Sequence, residues 1–420
     1  MKNRQQQKYV FQTISAIRAK ERLFILIYLF FVYSVSAQIL TKADNRVKTD
    51  ADITVGAKRL DLYLPLLDGE TLAFTGNQTS VIGKTHLVDT LLALGIKIKV
   101  IFSPEHGFRG NKDAGQDVLN SKDKKTGLPI ISLYGDHNKP TAKQLDGITV
   151  VVFDIQDVGA RFYTYLSTLH YIMMACAENG KKLIVLDRPN PNGCYIDGPV
   201  MEDAHRSFVG LHPVPVVYGM TIGEYAKMIN GEGWLGKGLT CNLTVIPLTD
   251  YSHADLYQLP IPPSPNLTTM GAVYLYPSLC LFEGTVISVG RGTDIPFQAI
   301  GHPKLQGATS FVFTPSAHTG ALDPPFKGQV CKGYDLRAFG NVFMADYHKL
   351  YLFWLKDCFK NIPDKTNFFN TYFTSLAGTK ELQQQIKEGK TEDEIRAAWQ
   401  PGIRKFKEIR KKYLLYPDFE

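Results

Sequence analysis

The chain has 420 residues, 44% of them hydrophobic and 11% aromatic, enough to bury the core of one large or two ordinary domains. It holds no low-complexity tract, heptad pattern or short-period repeat, which excludes the coiled-coil, solenoid and disordered classes. The formal net charge of +7 is concentrated at one end: residues 1–37 hold six Lys or Arg and one acid, Glu21, leaving 41 basic and 39 acidic residues in the rest, so the charge is no sign of nucleic-acid binding.

The first 37 residues read as a signal peptide. A basic segment ending at Arg22 leads into the apolar run from Leu23 to Tyr33, and Ser34-Val35-Ser36-Ala37 supplies small residues before Gln38. The expectation is an exported protein, periplasmic or secreted, with no stable membrane anchor after signal cleavage. The apolar run is short against the ~20 residues of a membrane span.

From there the chain reads as α/β. Leu72–Gly76 is a short buried strand, and Leu87, Leu91 and Leu94 fall at helical spacing before Gly95. Residues 96–102 form the next strand, so strand, helix and strand follow with short links, the pattern of a parallel βαβ unit. The strand empties into Ser103-Pro104-Glu105-His106-Gly107-Phe108-Arg109-Gly110, where a carboxylate, an imidazole and a guanidinium come together. Residues 111–127 form a long polar loop. Residues 130–135 are another short strand.

Residues 148–153 are a β-branched run, a strand buried on both faces, and it ends in Asp154 and Asp157. A helix is expected from Phe162 to Asn179, then a strand from Leu183 that stops at Asp187 and the turn Arg188-Pro189-Asn190-Pro191-Asn192-Gly193. Three strands thus end in acids. In a parallel sheet those ends share one edge and would gather the side chains into one crevice.

Near residue 200 the character changes. A helix from Thr221 to Asn230 opens with Thr221 and Glu224 at capping-box spacing. The Pro-rich stretch from Leu259 to Asn266 is a stiff connector. Residues 276–294 hold Glu283, Arg291 and Asp294 among glycines, placed for a second domain to close over a ligand held by the first. The tail from Glu381 to Tyr413 is an amphipathic surface helix packed by Ile395, Trp399 and Phe406, with Pro401 as a break. The six cysteines form no CxxC pair or zinc spacing and read as buried thiols.

No P-loop, complete GxGxxG or GxSxG elbow is present, so phosphate, dinucleotide and serine-hydrolase chemistry are poorly supported. Carboxylates with Arg, His, Asn and aromatic residues suit glycoside hydrolysis. They also suit divalent-metal hydrolysis, although His106, His137 and His170 are isolated and no metal ligands are assigned. A third reading is an exported cell-wall-sugar binding protein without catalysis. No cofactor is expected.

Residues 102–110, 152–165 and 186–193, with Pro263-Ser264-Pro265-Asn266-Leu267 and Phe282-Glu283-Gly284-Thr285, resemble the DUF1343 family, which includes the exo-β-N-acetylmuramidases known as NamZ. The resemblance implies a Rossmann-like parallel-sheet N-terminal domain, taken as residues 38–204, and a smaller α+β C-terminal domain, taken as residues 205–420, closing the cleft. It implies release of N-acetylmuramic acid from the non-reducing end of peptidoglycan fragments, so the expected partners are muramic-acid-terminated saccharides. It also implies Glu105 as the general acid/base.

The residues fit that role. A glutamic acid in apolar surroundings keeps its proton more readily than one in water, as a general acid must. His106 would orient Glu105. Asp154 or Asp157 would act as base or stabilise positive charge, or the substrate's 2-acetamido group would act as internal nucleophile. The lactyl carboxylate of muramic acid calls for an arginine, with Arg109, Arg161 and Arg291 as candidates. Tyr163, Asn190, Asn192, Glu283 and Asp294 complete the expected substrate-binding set.

Overall fold

The computed structural model describes residues 47–109, 121–307, 310–342 and 344–420. The expected signal peptide and most of the loop after Arg109 lie outside the described residues. Residues 48–420 form one compact unit.

At its centre is a seven-stranded sheet. Its strands are β1 (Leu72–Gly76), β2 (Ile98–Ser103), β3 (Ser121–Lys122), β4 (Pro129–Ser132), β5 (Val150–Asp154), β6 (Lys182–Leu186) and β7 (Asn242–Ile246), in the order β7-β6-β5-β1-β2-β4-β3. All pair in parallel except β3, which runs antiparallel at the edge. The chain winds outward from β1 through β2 to β4, then returns to the other side of β1 at β5. This doubly wound order puts a topological switch point at the carboxyl ends of the central strands, where α/β proteins bind ligands. β1 and β5 are buried along their whole length, as strands covered on both faces must be.

The expected helices appear with trimmed ends, except the tail, which divides into two helices, Glu381–Lys387 and Glu392–Arg410. Among them α1 (Leu87–Ala93) links β1 to β2, and α2 (Tyr165–Glu178) links β5 to β6. α3 (Ile222–Gly231) starts at the expected capping box: Thr221 accepts from the Glu224 amide while Glu224 accepts from the Thr221 amide. It leads to β7, an edge strand beyond residue 204 that still joins the sheet beside β6.

The smaller C-terminal region combines helices with a three-stranded antiparallel sheet, β8 (Ala299–His302), β10 (Cys331–Asp335) and β9 (Val312–Phe313), in that order. α4 (Met270–Leu279) enters it. α5 (Tyr372–Ala377) packs against the turn of 3-10 helix at Cys280–Gly284.

The final helix, α6 (Glu392–Arg410), buries Ile395, Trp399 and Phe406 as expected, but it runs unbroken through Pro401. Pro401 and Ala397 lie on the exposed face, so the Ala397 carbonyl, which loses its helical donor there, is on the side of the solvent. All six cysteines are buried free thiols. Among the described residues no helix is long and apolar enough to cross a membrane.

Candidate active site

A cavity of about 120 Å³ lies where the loops after β2 and β5 meet the C-terminal region. The sheet side contributes Glu105, His106, Tyr163, Thr164 and Tyr165. Ser264 and Asn266 from the Pro-rich connector, with Tyr276, Glu283, Arg291 and Tyr372, complete most of the polar lining.

Glu105 reaches the cavity through a tight turn. Ser103 ends β2, and the Gly107 amide donates to the Pro104 carbonyl at 3.1 Å. Glu105 and His106 are the two central residues. His106 has φ +68°, the left-handed backbone that the third position of a type II turn requires and that glycine adopts most easily. A β-carbon held in that region is a form of strain that clusters at functional sites. The His106 Nε2 lies 3.5 Å from the Ser264 hydroxyl, on the connector across the cavity. The Thr164 hydroxyl donates to Glu105 Oε2 at 3.0 Å.

The aromatic wall is fixed from behind. The hydroxyls of Tyr163 and Tyr165 donate to the Pro263 carbonyl at 2.9 and 3.3 Å. The Tyr163 ring meets Tyr165 and Tyr276 edge to face at 4.7 and 5.6 Å. Burial, reinforced by the neighbouring Glu105, pushes the Tyr163 and Tyr165 phenols upward, so they stay neutral. Tyr372 is pushed upward in the same way, by burial first and then by the negative groups around it. Opposite, Arg291 donates through Nε to Glu283 Oε1 at 2.6 Å and stacks over the Phe297 ring at 5.2 Å.

Five of the expected site residues therefore line one cavity: Glu105, His106, Tyr163, Glu283 and Arg291. The other seven do not line it. Asp154 is fully buried and forked onto Arg188, with contacts of 2.5 and 2.9 Å. Asp157 is buried, accepting from the Tyr218 hydroxyl and the Gly159 amide. Both carboxylates lie at the expected sheet edge but turn inward, and neither lines the cavity, where the expected base or charge-stabilising group would have to stand. Asp187, the third acidic tip, accepts from Thr221, Tyr416 and the Gly223 amide and so anchors the start of α3.

Arg109 pairs with Asp123 at 2.8 Å, with Asp89 beyond at 3.6 Å. Arg161 is buried, its guanidinium donating to the carbonyls of Pro199, Val214, Leu376 and Ala377. Neither lines the cavity. Asn190 donates to the Met220 carbonyl, and Asn192 to those of Val158 and Val273, so both brace loops and neither lines the cavity. Asp294 is exposed and pairs with His318 at 3.0 Å.

Sequence reasoning missed Thr164, Ser264, Asn266, Tyr276 and Tyr372 as lining residues. Thr164 stands next to Tyr163, which was in the expected substrate-binding set. Ser264 and Asn266 had a signal too, as polar residues that each follow a proline of the stiff connector. Tyr372 had none, because only packing brings α5 to the cavity. Among the described residues no group of three or more His, Cys, Asp or Glu side chains is arranged to hold a metal ion.

Comparisons with known proteins agree with this architecture. Residues 72–271 match the model for the N-terminal domain of exo-β-N-acetylmuramidase NamZ, and residues 274–416 match the model for its C-terminal domain. The peptidoglycan β-N-acetylmuramidase NamZ of Bacillus subtilis (strain 168) is 38% identical over 342 residues, 76% of this chain and 80% of that protein. Two crystal structures of DUF1343 family proteins from Bacteroides fragilis NCTC 9343 share the fold. One has a TM-score of 0.81 at 44% identity and the other 0.73 at 29%, each covering 87% of this chain and 99% of its own.

Proposed function

This chain belongs to the exo-β-N-acetylmuramidase NamZ family, and we propose that it releases N-acetylmuramic acid from the non-reducing end of peptidoglycan fragments, with Glu105 as general acid/base. The observation that carries the reading is the shared cavity. Glu105 comes from the carboxyl end of a central strand and Arg291 from the opposite wall, and both face the same space.

The chemistry follows from those positions. Breaking a glycosidic bond requires a proton on the departing oxygen, and Glu105 is a carboxyl group set at the sheet edge for that transfer. Muramic acid differs from N-acetylglucosamine by its lactyl carboxylate, which an arginine fork binds through two oxygens. Of the three candidate arginines Arg291 is the one that lines the cavity, with its Nε on Glu283 and the rest of its guanidinium left for the ligand, so Arg291 takes that role. The neutral phenols of Tyr163 and Tyr165 form part of the wall that the sugar would meet.

Export is part of the same proposal. It rests on the basic segment, apolar run and small residues of 1–37, and it would bring the protein to its cell-wall substrate.

The test is aryl release from a chromogenic β-N-acetylmuramide, with the β-N-acetylglucosaminide alongside. Glu105→Gln should keep the fold and lose at least about 1,000-fold in kcat. The wild type should cleave the muramide and be indifferent to EDTA. Full turnover by Glu105→Gln would remove that residue from the mechanism. Saturable binding of the muramide with no product would point to a sugar-binding protein, and loss of activity in EDTA to a metal.

A further inference from the structure

Thr164 is a helix-initiating threonine whose hydroxyl is turned away from its helix. It occupies the N-cap of α2, yet its side chain makes no capping hydrogen bond. Thr371, at the start of α5, has the same helical backbone and likewise makes no capping bond, whereas Thr221, Thr269 and Thr391 occupy the same position on other helices and each accepts from the amide three residues on. Those three have extended backbone, whereas Thr164 has φ −67° and ψ −6°. Its hydroxyl points to Glu105 and donates to Oε2 at 3.0 Å across 59 residues of sequence.

The donor is rigidly mounted. The Thr164 carbonyl receives the amides of Ser167 and Thr168, both at 3.0 Å, which locks the residue into the first turn of a 14-residue helix. Its neighbours on either side, Tyr163 and Tyr165, are both tied to the Pro263 carbonyl. Its β-branch restricts rotation about χ1.

We propose that Thr164 is the positioning residue for the acid/base glutamate: it holds Oε2 as an acceptor, so that the transferable proton resides on Oε1 and is aimed at the departing oxygen. The inference rests on the Glu105 reading above. The two oxygens of a free carboxyl group are interchangeable, and half of its protonated rotamers aim the proton the wrong way. A fixed donor on one oxygen removes that ambiguity. On return, the same arrangement leaves Oε1 to take a proton from the incoming water.

The experiment compares kcat/KM for two aryl β-N-acetylmuramides, one with a phenyl leaving group and one with 2,4-dinitrophenyl. The phenolate departs only with proton donation, and the dinitrophenolate departs without it. Thr164→Val should lose about 30-fold or more on the phenyl substrate, with KM nearly unchanged, and less than about threefold on the dinitrophenyl one. Thr164→Ser, which keeps the hydroxyl, should stay within about threefold of wild type on both.

Circular dichroism and the thermal midpoint establish folding, and Thr164→Ala carries the same prediction if the valine variant does not fold. Equal losses on the two substrates, no loss on either, or failure of serine to restore activity would overturn the proposal. Glu105→Gln, run in parallel, separates the two ideas. If it is inactive on the phenyl substrate while Thr164→Val matches wild type, only the positioning role fails. If it retains full activity there, the Glu105 reading itself fails.

Discussion

At the scale of single residues, identity matters less than what each side chain is tied to. Arg161 and Arg291 are both arginines in glycine- and aromatic-rich segments. Arg161 meets four backbone carbonyls in the core, and burial lowers its pKa to about 9. Arg291 stands in the cavity wall with its Nε on Glu283. If the guanidinium plane of Arg291 receives the lactyl carboxylate, lysine is a poor substitute: it keeps the charge and loses the fork. Arg291→Lys should therefore lower kcat/KM on the muramide by about tenfold or more and leave the glucosaminide nearly unchanged. An unchanged ratio between the two sugars would assign the lactyl group to another residue.

At the scale of elements, the site depends on close backbone approaches. The turn Cys280–Gly284 carries Glu283 and packs on α5, which carries Tyr372. A β-carbon on Gly284 would lie 2.3 Å from the Cα of Phe373 and 2.6 Å from its amide nitrogen. Both are backbone atoms and cannot swing aside. Gly284→Ala should thus push α5 outward, costing on the order of 2 kcal/mol as overpacking does and moving Glu283 and Tyr372 together. Denaturant unfolding would detect the loss, and KM for the muramide should rise in step. A variant as stable as wild type would mean that α5 yields freely.

Arg161 clamps the other end of the same helix. Its bonds to Leu376 and Ala377 satisfy carbonyls at the α5 C-terminus, where a cation is favoured. The loop after β5 is thereby stapled to the element that completes the cavity.

At the scale of the whole molecule, buried carboxylates couple stability to pH. Burial raises Asp157 and Asp187 from 3.8 to about 6. A carboxyl group raised in the folded state favours folding when protonated. That contribution is complete below pH 3.8 and is withdrawn as pH rises through about 6. Asp157→Asn has no proton to lose. Its stability deficit against wild type should therefore shrink between pH 4 and pH 7, by on the order of 2 kcal/mol. Urea unfolding at both pH values measures it, and a deficit that is constant or grows with pH would mean that Asp157 ionises freely inside the fold.

Much of this organisation was legible because it is encoded locally. A β-branched run marks a buried strand, apolar spacing marks a helix, and Thr221 with Glu224 marks a cap. Each depends on residues within a few positions of one another. The strand endings at Glu105, Asp154 and Asp187 were readable on the same ground. So was the parallel α/β class, since strands alternating with helices on short links leave few other topologies. Pro401 misled because a break depends on where the freed carbonyl lies, and that is a matter of burial.

The sequence by itself determined the Rossmann-like sheet, the strand tips that carry acids and, through its long motifs, the family. Only the tertiary structure decided which of those acids and arginines face the cavity. The physical reason is that a polar side chain turns toward whichever partner compensates its desolvation, and that partner is set by folding. Asp154 turns inward because Arg188 sits on the neighbouring strand end. Arg161 is withdrawn by carbonyls 215 and 216 residues away. Glu105 remains at the cavity, held by a threonine that gives up its usual cap.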